Sequence, residues 1–250
     1  MTSVCIATYN GARFIREQID SILPQLDAED ELIVSDDGST DGTLGILAEY
    51  ATADARVKVL HHEKNPAYAK IKHSRNFYYA TDNFENALKQ AKGDYIFLAD
   101  QDDVWRNDKV EKMLPFLDEY DCVMSNNQII DSAGKPLNFF WGKKAPFGRS
   151  VFTNLKRTPF LGCCMAFSRK AFDYILPFPW KLICHDLWMG CLCAHRKSLL
   201  FLQEPLHNYR YHEDSVSLSV TANSKNPLSF RITYRIIFLA QFYKRILFCK

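Results

Sequence analysis

No two of the eight cysteines in this 250-residue chain form a Cys-x-x-Cys pair. They are scattered (Cys5, Cys122, Cys163, Cys164, Cys184, Cys191, Cys193 and Cys249), mostly among apolar neighbours. That distribution speaks against a disulfide lattice or a zinc knuckle and for free, buried thiols in a reducing cytoplasm. An excess of one charge is also missing. Lys and Arg number 31 against 29 for Asp and Glu, a formal net charge of +2, so nothing draws the whole molecule toward nucleic acid. No Gly/Ser-rich linker, repeat or low-complexity tract divides the chain. No leader pattern opens it, because Met1-Thr2-Ser3 runs straight into the strand-like Val4-Cys5-Ile6-Ala7. The apolar stretch near the C-terminus falls short of the ~20 residues that cross a bilayer. A Gly-rich phosphate loop carrying Lys or Arg is absent after the first strand, where Thr8-Tyr9-Asn10-Gly11 stands instead. What is present is an ordinary folded globule, 47% hydrophobic and 24% charged, of a length for one large domain or two small ones.

Strand and helix signals alternate through the first half. Ser3 to Thr8 reads as a strand, and Asn10-Gly11 turns into a helix with Phe14, Ile15, Ile19 and Ile22 on one face. Glu31 to Ser35 is a short buried strand stopped by Asp36-Asp37-Gly38-Ser39. A helix bearing Leu44, Leu47 and Ala48 follows, then a strand at Val57 to Leu60. Helical spacing of Phe84, Ala87, Leu88 and Ala91 leads into a strand at Asp94 to Ala99. This rhythm predicts an α/β fold, a mostly parallel central sheet flanked by helices. Beyond it, Cys122 to Ser125 reads as one more strand, and Ile129 to Phe140 as a hairpin around Ser132-Ala133-Gly134-Lys135.

Four polar clusters interrupt this pattern. In Asp100-Gln101-Asp102-Asp103-Val104-Trp105, a strand ends in three carboxylates, at the sheet edge where ligands bind in open α/β sheets. Their mutual repulsion calls for an opposing charge, and a hard divalent cation such as Mg²⁺ or Mn²⁺ supplies one. The plainer reading is an acidic turn ahead of a helix that starts after Asn107 or Asp108 and presents Val110, Met113, Leu114 and Leu117. Asp36-Asp37-Gly38-Ser39-Thr40-Asp41-Gly42 ends another strand. Its carboxylates suit a base N–H or ribose hydroxyls, or else it is a polar turn with Ser39 or Asp41 as helix cap. In Cys184-His185-Asp186-Leu187-Trp188 a carboxylate opens a helix running through Met189, Leu192 and Cys193, either as a cap or as a general base made more basic by apolar neighbours. Asn208-Tyr209-Arg210-Tyr211-His212 offers a guanidinium for phosphate and an imidazole for metal, or plain structural residues.

Taken together and in order, these clusters, with Cys5 to Gly11, Val34 to Gly42, Gly162 to Phe167, His185 to Trp188 and Tyr209 to His212, resemble the family 2 glycosyltransferases of bacterial polysaccharide synthesis over residues 3 to about 216. The Asp-Gln-Asp-Asp-Val-Trp form is most similar to rhamnosyltransferases of O-antigen and capsule assembly. The resemblance implies a GT-A-type nucleotide-diphospho-sugar transferase fold and an inverting, metal-dependent transfer to a glycan acceptor, lipid-linked in such pathways, with dTDP-rhamnose as a candidate donor. It implies that Thr8, Asn10, Asp36, Asp37, Asp100 and Arg210 bind the donor. Asp102 and His212 would hold Mn²⁺ or Mg²⁺, and Asp186 would act as base. Two departures stand out: the segment from His61 to Tyr79 is longer and more basic than usual, and Asp186-Leu187-Trp188 replaces Asp-Trp-Trp. The alternatives are a nucleotidyltransferase on a related fold and a non-catalytic sugar-nucleotide-binding module.

The division expected is a transferase domain over 1–220 and a basic amphipathic tail over 221–250. In the tail, aromatic and aliphatic residues interleave with Arg231, Arg235, Lys244 and Arg245. Either this helix lies in the interface at the inner face of the cell membrane, keeping a cytoplasmic enzyme near a lipid-linked acceptor, or it packs on its own domain or a dimer partner.

Overall fold

The computed structural model describes residues 1–140, 146–182, 184–212 and 226–248. Residues 213–216 at the end of the matched region and the 220/221 boundary lie outside the described residues. So does Cys249; the other seven cysteines are free, and all but the half-buried Cys184 are buried.

Strand β1 (Thr2–Thr8) lies between β2 (Glu31–Asp36) and β4 (Tyr95–Asp100), parallel to both, and β3 (Val57–His61) extends the parallel set beside β2. Thr8 is level with Asp36, and Ala7 with Asp100. This register collects the polar residues that end each strand at one edge of the sheet. The strands are buried almost throughout, as expected where helices cover both faces. Alternate side chains go to opposite faces. Cys5, Ile33, Ile96 and Leu98 join one core with Phe84, Ala87 and Leu88 of α3 (Arg75–Gln90). Val4, Ile6, Leu32, Val34 and Phe97 join the other with Ile15, Ile19 and Ile22 of α1 (Ile15–Ile22).

Beyond β4 the sheet becomes mixed. Its order is β3-β2-β1-β4-β8-β6-β9-β5, with β7 paired to β6. The added strands are β5 (Val104–Trp105), β6 (Cys122–Ile130), β7 (Pro136–Phe140), β8 (Met165–Ser168) and β9 (Leu199–Arg210). β8 is antiparallel to β4 and β6, and β9 runs parallel to β6 and antiparallel to β5. The expected strand at Cys122 continues five residues further, through the start of the expected hairpin, because β9 pairs along its whole length.

Helix α2 (Thr43–Ala53) buries Thr43 and Leu47, whereas Leu44 and Ala48 face solvent. Of the three apolar residues that signalled this helix in the sequence, Leu47 is the one that enters the core. Short α4 (Lys109–Met113) gives way to a 3₁₀ turn at Leu114–Asp118. Two further short helices, α5 (Val151–Arg157) and α6 (Phe172–Ile175), precede α7 (His185–His195), and α8 (Leu228–Phe248) comes after β9. The last helix is no detached tail. Phe238 and Phe242 are buried edge-on against Trp188 of α7, and Arg245 donates to the carbonyls of Tyr174 and Ile175, both at 2.8 Å.

Candidate functional site at the strand ends

The turn after β2 is built by Asp36. One carboxylate oxygen accepts the Gly38 and Ser39 amides at 3.0 and 2.9 Å, and the other accepts the Ser39 hydroxyl at 2.5 Å. Asp36 is wholly buried. Three hydrogen bonds thus tie both of its carboxylate oxygens to the turn. Ser39 then takes the Asn10 amide at 2.8 Å, and Asn10 returns a hydrogen bond from the Thr40 amide at 2.8 Å, which locks the β1 and β2 turns together. Asn10 is exposed and sits at φ 50°, in the left-handed region that asparagine tolerates. Thr8 donates to the Gln101 side-chain oxygen at 2.6 Å, as does the Tyr9 amide at 2.8 Å. Gly11 allows this closeness, because a Cβ there would stand 2.6 Å from the same oxygen. Asp37 is held by His62 at 2.8 Å and Lys64 at 3.6 Å, both from the long basic segment.

Asp100, Asp102 and Asp103 gather where β4 turns into β5. Burial and the neighbouring carboxylates of Asp103 and Asp102 raise the Asp100 carboxyl well above its usual range. Burial and Asp102 push Asp103 up to about 8. Oxygens of Asp100 and Asp103 and the Cys163 sulfur lie within 4.8 Å of one another. Asp102 meets the His212 Nε2 at 2.8 Å, so the two expected metal ligands, 110 residues apart, do come together. The oxygen and imidazole donors and the surplus of negative charge fit a Mn²⁺ or Mg²⁺ ion.

The Arg210 guanidinium is buried between the Glu17 carboxylate at 2.6 Å and the carbonyls of Asp102 at 2.8 Å and Ser132 at 3.2 Å, over the ring of Phe14. These contacts brace the loop of Asp102.

Asp186 stands in the first turn of α7, half-buried, accepting the Leu187 amide at 2.7 Å. Burial pushes its carboxyl up to about 6. Next to it, burial pushes His185 down to about 3, where the ring packs on Phe84 with centroids 4.3 Å apart. A Cβ at Gly162 would lie 3.1 Å from His185 Nε2 and 3.6 Å from the Asp186 Cβ, so the Gly162 turn rests directly on the base candidate.

Two buried residues, Lys109 and His207, escaped sequence reasoning, and they join Asp103 of the acidic turn. Asp103 accepts the Arg210 amide and the His207 Nε2, both at 2.8 Å. The other His207 nitrogen lies 3.3 Å from Lys109 Nζ, which also donates to the Cys163 carbonyl at 2.6 Å. Burial lowers Lys109 to about 8 and, with Lys109 beside it, His207 well below its usual value. The adjacency of Asp103 to the metal-ligand candidates was the one visible clue. Lys109 sits beside Val110 in what looks like an ordinary helix, and His207 lies within a strand.

Residues 3–176 match the model of glycosyl transferase family 2. Over 165 residues the chain is 33% identical to the putative teichuronic acid biosynthesis glycosyltransferase TuaG of Bacillus subtilis, covering 65% of this chain and 60% of that protein. It is 36% identical over 126 residues to the dTDP-rhamnosyl transferase RfbG of Shigella flexneri, covering 49% and 38%. Against the UDP-Glc:alpha-D-GlcNAc-diphosphoundecaprenol beta-1,3-glucosyltransferase WfgD of Escherichia coli it is 26% identical, covering 87% and 79%. The chain thus spans 60% of TuaG and 38% of RfbG, less than two thirds of either. Among solved structures, S. aureus TarS 1–349 in complex with UDP-GlcNAc superposes with a TM-score of 0.63 at 19% identity, covering 98% of this chain and 72% of that one. The mannosyltransferase PcManGT of Pyrobaculum calidifontis, in complex with GDP-Man and Mn²⁺, gives 0.57 at 18%, covering 97% and 69%. These likenesses carry the fold, a GT-A-type α/β transferase fold.

Proposed function

Since the chain belongs to glycosyl transferase family 2, we propose that it is an inverting, metal-dependent glycosyltransferase of surface polysaccharide synthesis. It moves a sugar from a nucleoside-diphosphate donor to a lipid-linked glycan acceptor at the cytoplasmic face of the membrane. The observation that carries this reading is the gathering of Asp100, Asp102 and Asp103 at the end of β4, where Asp102 meets His212 Nε2 at 2.8 Å, together with the separate carboxylate of Asp186 in the first turn of α7, raised to about 6. The relatives' names support a surface-glycan role, RfbG points to dTDP-rhamnose as the first donor to try, and WfgD supports a lipid-diphosphate acceptor.

Thr8, Asn10 and Asp37 line the side of the site that takes the nucleoside. Asp37 accepts from the base once His62 and Lys64 yield, and Asp100 faces the sugar-phosphate. Asp102 and His212 would hold the divalent ion, which offsets the charge growing on the departing diphosphate. Asp186 takes the proton of the acceptor hydroxyl as that oxygen attacks the anomeric carbon. With one base and no second carboxylate assigned as nucleophile, the displacement is single and inverts the carbon.

Release of nucleoside diphosphate from a panel of sugar nucleotides, dTDP-rhamnose included, with and without Mn²⁺, tests the proposal. Mn²⁺-dependent release stimulated by a polyprenyl-diphosphate sugar is the expected result. Binding without turnover would leave a sugar-nucleotide-binding module, and pyrophosphate release from a nucleoside triphosphate and a sugar phosphate would mark a nucleotidyltransferase.

A further inference from the structure

We propose that Lys109 is a positioning residue that couples the two halves of the site, the Asp102–His212 pair and the Asp186 base, through His207 and Asp103. The inference deepens the reading above and rests on its assignment of those halves.

Lys109, His207 and Asp103 are 0%, 0% and 1% exposed, so none of them reaches substrate. Both ends of the chain terminate on backbone atoms of segments that carry site residues. At one end Lys109 Nζ donates to the Cys163 carbonyl at 2.6 Å. The preceding residue, Gly162, is the one packed against His185 and Asp186. At the other end Asp103 accepts the Arg210 amide at 2.8 Å, two residues before the His212 that bonds Asp102. His207 joins the ends, with Nε2 2.8 Å from Asp103 and Nδ1 3.3 Å from Lys109. One tautomer satisfies the whole chain: Lys109 donates to Nδ1, and the Nε2 hydrogen goes to Asp103.

The ammonium is also seated 4.1 Å from the ring centre of Trp105, in the strand that comes after the carboxylates. Three ionisable groups buried together cost more in desolvation than apolar residues of the same size would. Here the two outermost bonds end on the backbone of segments that carry site residues. The Gly162 turn, whose Cys163 and Cys164 are buried in one core, and the end of β9, which pairs with β6 through Arg210 and with β5 over two residues, are thereby tied to each other. Partners behind a metal's direct ligands typically change metal affinity ten- to a hundredfold when removed.

Lys109→Met, which keeps the straight chain and removes the ammonium, tests this. The readouts are Mn²⁺ alone titrated by electron paramagnetic resonance, and amide proton–nitrogen spectra. We expect Mn²⁺ affinity to fall about tenfold or more. We also expect the amide signals of Gly162, Asp186 and His212 to shift together while those of the Asp37–Thr43 turn stay in place. Lys109→Gln, which restores an uncharged N–H donor, should fall between Lys109→Met and the unmodified protein, and it carries the test should Lys109→Met not fold. Unchanged Mn²⁺ affinity with unmoved Gly162 and His212 signals would overturn the proposal, as would shifts confined to one half. If the unmodified protein bound no Mn²⁺, the metal assignment would fall, and the paired amide shifts would still decide the coupling.

Discussion

In the proposed mechanism, Asp186 becomes a base through its surroundings. Burial disfavours its charged form and raises it to about 6, close enough to neutrality to hold a proton during transfer and shed it afterwards. Only the ionised form accepts a proton, so kcat/KM should climb with pH through about 6 and level off above it. In Asp186→Asn that limb should vanish, turnover should drop roughly 10²–10⁴-fold, and donor affinity should stay near normal. A pH–rate profile with the limb intact in the variant would reduce Asp186 to a helix cap. Asp102 belongs to the opposite case, since its partner His212 comes from a distant strand end. Asp102→Ala should abolish Mn²⁺-dependent nucleotide binding in calorimetry while melting near the unmodified protein. Asp36→Ala should do the reverse, lowering the melting temperature by unmaking the turn.

At the scale of elements, the seating of α7 controls where Asp186 points. Gly190 lies under the ring of Phe160, and an added Cβ would stand 2.5 Å from it. Gly190→Ala should therefore cost about 1–3 kcal/mol by overpacking, read as a shift of the denaturation midpoint. Helix α8 reaches the same point from outside. Its buried Phe242 packs on Trp188, so Phe242→Ala should cost about 3–5 kcal/mol. Ile236→Ala, at a position 62% exposed, should change stability by less than ~0.5 kcal/mol. Equal losses for the two would mean that α8 does not dock as described.

For the whole molecule, the outward side of α8 bears on where the enzyme works. Ile232, Ile236, Tyr243 and Leu247 are exposed along it, and exposed Phe152 of α5 adjoins Tyr243. No Asp or Glu occurs in 146–172 or 226–248, where Arg149, Lys156, Arg157, Arg231 and Lys244 do. No helix among the described residues is long and apolar enough to cross a membrane. An apolar face flanked by cations suits an anionic bilayer surface, at about 1 kcal/mol per cation close to it. The full chain should therefore co-sediment with anionic vesicles, less so with zwitterionic ones or at high salt. Ile232→Asp with Ile236→Asp should release it. Equal, negligible pelleting throughout would leave α8 as a structural helix.

Sequence alone settled the alternation of strands and helices, the α/β class and the polar residues that end each strand, because these depend on periodicity and turn chemistry within a few residues of each position. The GT-A fold was legible only as a resemblance, carried by the order of the motifs. Which of the strand-end residues face a ligand was left to tertiary packing. Asp36 and Asp37 are neighbours in the chain, yet the turn consumes one and leaves the other to His62 and Lys64. For Arg210 the sequence left open a phosphate contact or a structural role, and its ion pair with Glu17, 193 residues away, appears only in the fold. The Lys109–His207–Asp103 chain left almost no local signal, since its bonds span up to 104 residues and arise only when β9 returns to lie beside β5 and β6. Local physics fixes what a residue can do, and long-range packing fixes what it is left free to do.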